Sequence, residues 1–143
     1  MNNSLNFDMD GVLANLYGVT DWLPKLRAED ASPYLEAKPL VNCNVLARRL
    51  NKLHAKGWTI NIISWTSKCG SDEYMTRIAE AKRKWLKKHL PSVRWDNIHI
   101  IAYGTPKQNY GSGILFDDEE PNRNAWKGIA IKETEMMSYL ATL

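Results

Sequence analysis

The sequence predicts one three-layer α/β domain, in which helices cover both faces of a mostly parallel, five-stranded sheet. Two observations support this prediction. Short apolar runs, some rich in β-branched residues, alternate with amphipathic segments along the 143 residues, which is typical of repeated strand and helix units. Polar side chains also follow directly after several of these runs, and the carboxyl ends of parallel strands meet at one edge of a sheet. We therefore expect these polar residues to share one site.

The first two predicted strands flank a long helix. An apolar run ending at Phe7 predicts the first strand, and the run TINII at 59–63 predicts the second. Between them, Asn42 can cap a helix that continues to about Lys56, and Gly57 can end it. The chain therefore begins as a strand, helix and strand unit.

A small insert of about residues 14–40 separates the first strand from that helix. Its first part mixes apolar and polar residues and predicts one or two short helices, interrupted at Gly18 and Pro24. Residues 31–39 predict a loop, because prolines lie near both of its ends. The insert is cap-like in position but too short for a large cap domain.

The second half of the chain begins with another long helix. Ser71, followed by Asp72 and Glu73, predicts its start, and Pro91 lies just beyond its end. The side chains expected to face inward are Met75, Ile78, Ala79, Trp85 and Leu86. Further strands are predicted at 97–102, 113–116 and 129–131, a loop at 103–112, and helices at 121–127 and 133–141.

The composition is that of a folded domain, with 44% hydrophobic and 24% charged residues. No stretch approaches the ~18 apolar residues of a membrane span, and the N-terminus lacks the charged and then apolar pattern of a signal peptide. We therefore expect a cytoplasmic protein with no membrane partner. Cys43 and Cys69 form no CxxC pair, so neither a zinc site nor a disulfide is predicted.

A basic cluster surrounds Trp85 in the second long helix. Basic residues near the C-terminal end of a helix complement its dipole and remain in water, which is the interpretation favoured here. A surface for a nucleic-acid backbone is the alternative, because basic residues beside an aromatic ring suit phosphates. The residues of this cluster are Lys82, Arg83, Lys84, Lys87, Lys88 and His89.

Two aspartates, Asp8 and Asp10, follow the first strand and precede Gly11. Alternate residues of an extended chain point to the same side, so both carboxylates can face one point. Like charges held so close repel each other unless a counter-charge is present. Mg²⁺ is a suitable counter-charge because it binds carboxylates together with substrate phosphates. A turn in which both side chains cap backbone amides is the alternative interpretation.

Three further groups lie at or near predicted strand ends. Ser64 follows the second strand, with Thr66 as a rival hydroxyl, Asp117 and Asp118 follow the fourth strand, and Lys107 lies in the loop before it. Phosphoryl transfer needs a nucleophile, a proton donor, and cations or hydrogen-bond donors around the phosphoryl oxygens. The polar residues at the strand ends include a candidate for each of these roles.

Taken together, the motifs resemble those of the haloacid dehalogenase-like phosphohydrolases. FDMDGVLAN is similar to the first motif, in the form seen in small 5'(3')-deoxyribonucleotidase-like members, and ILFDDEEPN is similar to the fourth. Ser64 resembles the second-motif hydroxyl, and Lys107 in GTPKQ resembles the third-motif lysine. The resemblance implies a Rossmann-like domain whose strand order is fifth, fourth, first, second and third.

The resemblance also implies a chemical role for each residue. Asp8 would be the nucleophile that forms an aspartyl-phosphate, and Asp10 would protonate the leaving group and then activate water. The phosphate would be held by the Ser64 hydroxyl, the backbone amide of Trp65 and the ammonium of Lys107. Lys68 is a weaker alternative to Lys107.

The implied cofactor is Mg²⁺. Its ligands would be a carboxylate oxygen of Asp8, the backbone carbonyl of Asp10 and the carboxylate of Asp117, with Asp118 acting through a water. Asn122 would either orient the loop that carries these acids or cap the start of the helix that follows.

The expected function is Mg²⁺-dependent hydrolysis of a small phosphomonoester, such as a nucleotide. Two alternatives remain open, namely a phosphatase acting on nucleic-acid ends and a catalytically silent phosphate-binding module of the same fold. Because the insert is small, the cleft is expected to be open to large partners or closed by a second subunit of a homo-oligomer.

Overall fold

A five-stranded parallel sheet forms the centre of the structure, a computed structural model that describes residues 3–143. All four of its strand pairings are parallel. The predicted α/β class and parallel sheet are therefore confirmed. The strands of the chain are β1 (Ser4–Phe7), β2 (Ala14–Asn15), β3 (Lys38–Pro39), β4 (Thr59–Trp65), β5 (Asn97–Ile101), β6 (Ile114–Phe116) and β7 (Ile129–Ile131).

The order of strands across the main sheet is β5-β4-β1-β6-β7. The numbering differs from the expected 5-4-1-2-3 because the insert contributes two additional strands, β2 and β3, which pair antiparallel in a sheet of their own. Counted along the chain, the strands of the main sheet are the third, second, first, fourth and fifth. Strand β1 is central, so the residues that follow it lie in the middle of the carboxyl edge.

Six α-helices accompany the sheet within residues 3–143. The two long ones begin where the sequence predicts, because the side chain of Asn42 accepts a hydrogen bond from the Val45 N–H and that of Ser71 accepts one from the Tyr74 N–H. The helices are α1 (Trp22–Arg27), α2 (Ser32–Glu36), α3 (Cys43–Ala55), α4 (Asp72–His89), α5 (Glu120–Ala125) and α6 (Met136–Leu140). Short 3₁₀ turns lie at 16–18, 107–109 and 133–135.

Two predictions about the insert are wrong. Pro24 does not interrupt a helix but lies in the first turn of α1, where a proline's missing N–H costs no helical hydrogen bond. Residues 31–39 do not form a loop, because Pro33 similarly begins α2 and residues Lys38–Pro39 pair with β2. The insert is therefore a small ordered unit.

Strand β4 is longer than the sequence predicts. It continues past Ile63 to Trp65, because Ser64 and Trp65 pair in register with Ile100 and Ile101 of β5. Ser64 therefore lies within the strand, and Thr66 is the first residue beyond it.

One face of the sheet holds the main hydrophobic core. Side chains from β1, β4 and β6 pack there against α3, α4 and α6, as seen for Phe7, Leu50 and Trp85. A smaller cluster of Ile63, Leu115 and Trp126 forms a separate core. Within residues 3–143, no helix is both long and apolar enough to cross a bilayer.

Helix α4 buries a different set of side chains from the one predicted. Ile78, Trp85 and Leu86 are buried as expected, whereas Met75 and Ala79 are only half-buried. Three residues not predicted to face inward are also buried, namely Tyr74, Ala81 and Lys82. The burial of Lys82 matters for the site.

Candidate active site

Three aspartates meet at the carboxyl edge of the two central strands. Asp8 follows β1 and Asp117 and Asp118 follow β6, and the N–H of Asp8 donates to the carbonyl of Phe116 over 3.0 Å. One carboxylate oxygen from each aspartate lies within 4.8 Å of the others. These three residues, called the acidic cluster below, are gathered from motifs more than 100 residues apart because parallel neighbouring strands end at the same edge.

Lys107 lies between two members of the acidic cluster. Its ammonium donates to Asp117 Oδ2 at 2.7 Å and lies 3.2 Å from Asp8 Oδ1, and the residue is only 3% exposed. The ring of Trp65 lies 5.1 Å from the ammonium. Lys107 is thus a buried counter-ion and not a solvated loop residue, in the place that the sequence analysis assigns to it. Lys68, the weaker alternative to Lys107, is exposed but lines a cavity to which Lys107 also contributes.

The charges of the acidic cluster perturb one another. Burial raises the pKa of Asp117, the charge of Asp8 raises it further, and Lys107 works in the opposite direction. Burial and the charges of Asp8 and Asp117 raise the pKa of Asp118 to about 8. Burial alone would lower the pKa of Lys107, but the two neighbouring carboxylates outweigh it and raise that pKa. The cluster therefore carries more negative charge than one lysine offsets.

Gly11 makes room for Asp118. Its φ of +81° lies in the left-handed region, and a Cβ built on it would overlap the Asp118 carboxylate. The turn of residues 9–14 is closed by N–H groups of Val12, Leu13 and Ala14, which all donate to the carbonyl of Met9. Glycine is thus required here for both its backbone conformation and its lack of a side chain.

The loop after β6 is held by its own polar residues. The N–H of Glu119 donates to Asp117 Oδ1 over 2.9 Å, and the side-chain amide of Asn122 contacts Glu119 at 3.1 Å and Asp117 at 3.3 Å. Arg123 donates to the backbone carbonyl of Asp117. Of the two roles open to it in the sequence, Asn122 has contacts that orient the acidic loop.

The side chain of Asp10 pairs with a second buried lysine, Lys82. Its Oδ2 accepts a hydrogen bond of 2.9 Å from Lys82, and its carboxylate is not among the three that approach one another. The same ammonium donates to Ser64 Oγ at 2.7 Å and to the backbone carbonyl of Trp65 at 2.6 Å. Lys82, Asp10 and Ser64 are called the Lys82 cluster below.

Lys82 corrects the interpretation of the basic cluster. The sequence analysis favours a solvated face for all of its residues, yet Lys82 is 1% exposed and faces the site. Its neighbours Arg83, Lys84, Lys87 and Lys88 are exposed, as expected. A signal for its burial exists in the sequence, because Lys82 lies four residues after Ile78 and three before Trp85, on the same face of the helix.

The structure does not bring Ser64 to the cavity. Ser64 is 0% exposed and its hydroxyl oxygen accepts from Lys82, whereas the rival Thr66 lines the cavity beyond the end of β4. The expectation for Ser64 fails because β4 is two residues longer than predicted. Trp65 lines the cavity, and its backbone carbonyl accepts from Lys82.

A cavity of about 270 Å³ opens above both clusters. Asp8, Asp10 and Lys107 contribute to its lining, as do Thr66 and Asp118. Ser67, Lys68 and Glu119 also line it. Aromatic and aliphatic side chains form the rest of its wall, and no sequence motif indicates them as a group. They are Leu16, Tyr17, Trp22, Leu23, Leu26 and Tyr34 from the insert, with Trp65 and Tyr103 from the sheet edge.

The insert is fastened to helix α4. The carboxylate of Glu29 accepts from the N–H and the hydroxyl of Ser71, and Arg77 donates to the Glu29 carbonyl. The Tyr74 hydroxyl donates to the carbonyl of Asp30 over 3.3 Å. The aromatic residues of the insert are therefore held in place above the two clusters.

The acidic cluster is chemically suited to Mg²⁺. Its three carboxylates are hard oxygen donors within reach of one ion, and burial together with the charges of the neighbouring aspartates raises the pKa values of Asp117 and Asp118. A divalent cation would relieve that repulsion. The backbone carbonyl of Asp10 and the three carboxylates are the groups that could hold it.

No protein-family model matches this chain, and no significant match was found among curated proteins.

Proposed function

We propose that the protein is a Mg²⁺-dependent phosphomonoester hydrolase that works through an aspartyl-phosphate on Asp8. The observation that carries the proposal is the acidic cluster itself, in which Asp8 lies beside two further aspartates and a buried lysine at the floor of a cavity. Lys107 beside the Asp8 nucleophile, together with a divalent cation on the acidic cluster, would meet the main requirement of phosphoryl transfer, which is electrostatic.

The reaction would proceed in two displacements. A carboxylate oxygen of Asp8 attacks phosphorus while the bond to the leaving oxygen breaks, and protonated Asp10 gives its proton to that oxygen. Asp10 then removes a proton from water, which attacks the aspartyl-phosphate and releases inorganic phosphate and the Asp8 carboxylate. Bound Mg²⁺ supplies positive charge that offsets the phosphoryl oxygens and the acidic cluster.

Lys107 and Thr66 would hold the phosphoryl group. The Lys107 ammonium already bridges Asp8 and Asp117, so it lies where negative charge develops during transfer. Thr66 replaces Ser64 in this proposal because its side chain lines the cavity, with the backbone amide of Ser67 as the donor that follows it.

The shape of the cavity favours a substrate with a flat apolar group, such as a nucleoside monophosphate. Two aromatic pairs border the cavity, Tyr17 with Trp22 at 5.1 Å and Trp65 with Tyr103 at 4.9 Å between ring centroids. Such rings can stack on any nucleobase, because every base has a flat π-face.

A phosphatase for nucleic-acid ends has weaker support. The exposed basic residues of α4, for example Lys87 and Lys88, do not line the cavity. The ammonium of Lys82 is buried and bonded to groups of the protein itself, so it cannot bind a nucleic acid. A continuous basic track into the cavity would be needed to guide a longer phosphate backbone.

The test is hydrolysis of p-nitrophenyl phosphate and of a panel of nucleotides, sugar phosphates and phosphorylated oligonucleotides. We expect hydrolysis that requires Mg²⁺ and that falls by about 10⁴-fold or more in Asp8→Asn. Asp21→Asn is the matched control, because Asp21 is exposed and its side chain caps no helix. A wild-type protein that binds phosphate with Mg²⁺ but hydrolyses nothing on the panel would instead be the silent binding module.

A further inference from the structure

Lys82 is a buried ammonium whose three protons are all engaged. They are donated to Asp10 Oδ2, Ser64 Oγ and the carbonyl of Trp65, over 2.9, 2.7 and 2.6 Å. The ring of Tyr34 lies 5.2 Å from the ammonium. No donor of Lys82 remains for a substrate, and Asp10 is the partner of Lys82 whose carboxylate contributes to the cavity lining.

Packing does not account for a charge at this position. Helix α4 is anchored by apolar side chains one turn away on either side, Ile78 and Trp85. Replacement of a buried ion pair by apolar residues is often neutral or stabilising, because the charges pay a desolvation cost. An ammonium held here therefore needs an explanation other than stability.

The contacts of Lys82 fix the orientation of Asp10. Ser64 and the Trp65 carbonyl hold the ammonium from β4, and the third proton holds one oxygen of Asp10. Among residues 3–143, no hydrogen bond to the other oxygen, Oδ1, is found. That oxygen is therefore the one available for proton exchange with a substrate in the cavity that Asp10 lines.

We propose that Lys82 is a positioning residue that holds Asp10 for proton transfer to the leaving group, and that Ser64 serves to hold Lys82. The proposal rests on the proposed phosphatase function. The three hydrogen bonds of Lys82 fix which carboxylate oxygen of Asp10 is held and which is left for the substrate. Lys107 and Thr66, and not Lys82, would bind the phosphate group.

Leaving-group dependence tests this role. Departure of p-nitrophenolate needs little protonation, whereas benzyl phosphate releases an alkoxide that needs a proton. We expect Lys82→Met to slow first-turnover release of benzyl alcohol by about 100-fold or more, and of p-nitrophenol by less than about 10-fold. The control Lys84→Met, an exposed residue of the same helix, should leave both rates unchanged.

Ser64→Ala is a second variant with little risk to folding, since it removes one hydroxyl. It should slow benzyl alcohol release by about 3- to 10-fold, with an unchanged KM and a smaller effect on p-nitrophenol release. If Ser64 instead bound phosphate, its loss would raise KM for both esters equally, and that result would overturn the proposal.

A double variant separates action through Asp10 from a structural effect. The double variant Asp10→Asn with Lys82→Met should release p-nitrophenol less than about twofold more slowly than Asp10→Asn alone, because the two residues act as one unit. Losses that multiply would overturn the proposal, as would equal loss on both esters in Lys82→Met. A wild type inert toward both esters with Mg²⁺ would overturn the phosphatase function itself, whereas an active wild type with uniform losses overturns the role of Lys82 alone.

Discussion

The acidic cluster and the Lys82 cluster both place a buried lysine beside a carboxylate, but they are built differently. Lys107 comes from a loop and joins carboxylates that follow two adjacent strands. Lys82 comes from the middle of a long helix and joins Asp10 to a serine within a strand. Lys107 faces more than one negative group and Lys82 faces one, so the first cluster can hold a further cation and the second is already balanced.

The acidic cluster and the Lys82 cluster are therefore suited to different roles. The acidic cluster has raised carboxyl pKa values at Asp117 and Asp118 and lies where a metal and a phosphoryl group can bind. The Lys82 cluster has every ammonium proton satisfied and can only orient its partners. Substitutions and pH changes can test this contrast.

Lys107→Met should lower kcat/KM by about 10³-fold, because it removes a cation that stabilises developing charge on the phosphoryl group. It should also destabilise the metal-free protein by about 3–5 kcal/mol, since two buried carboxylates lose their counter-ion. Steady-state kinetics and chemical denaturation with and without Mg²⁺ measure both effects. Lys68→Met is the control from the same cavity, and a larger loss there than in Lys107→Met would contradict the assignment.

The affinity for Mg²⁺ should rise with pH. The pKa of Asp118 is raised to about 8, so below that pH its carboxyl is protonated in the metal-free protein and must lose a proton when the ion binds. The apparent affinity should therefore increase by up to about 100-fold from pH 6 to pH 8. Titration calorimetry in buffers of different ionisation enthalpy measures the affinity and the proton released. An affinity independent of pH would remove Asp118 from the metal site.

The stability of the metal-free protein should fall as pH rises. Because the folded-state pKa of Asp118 lies above its ordinary value, its protonation favours the fold at low pH, and that contribution is lost as pH rises through about 8. Thermal melts from pH 5 to 9 should show a decline that saturating Mg²⁺ reduces. Asp118→Asn should flatten the decline, and an unchanged decline in that variant would assign it to other groups.

Gly11→Ala should weaken Mg²⁺ binding by about 10-fold, because the new methyl group displaces Asp118. It should also cost about 1–2 kcal/mol of unfolding free energy for the left-handed backbone conformation. Gly57→Ala is a close control, since Gly57 has a φ of +95° but no atom within 4 Å of the built Cβ. Similar Mg²⁺ affinities in the two variants would contradict a specific contact between Gly11 and Asp118.

Substitution of the exposed basic residues should have the smallest effect. Lys87→Ala and Lys88→Ala should change kcat/KM for a nucleoside monophosphate and for a phosphorylated oligonucleotide by less than about twofold. A selective loss on the oligonucleotide would restore the nucleic-acid interpretation of the basic cluster.

Much of the fold follows from local pattern. The caps at Asn42 and Ser71, the β-branched run of β4 and the apolar runs of β1, β6 and β7 each lie where the sequence places them. The insert was less predictable, because a proline in the first turn of a short helix looks the same in sequence as a proline that breaks one. Tertiary support from β2 and α4 decides between the two.

The acidic cluster is predictable from the sequence, because residues that follow neighbouring parallel strands lie at one edge of the sheet. That Thr66 and not Ser64 lines the cavity is visible only in the folded structure, since the end of β4 depends on how far β5 pairs with it. The burial of Lys82 also required tertiary structure, because a lysine on a helix is ordinarily solvated. Lys82 is buried because the insert packs against α4 and because Asp10 accepts a hydrogen bond from its ammonium.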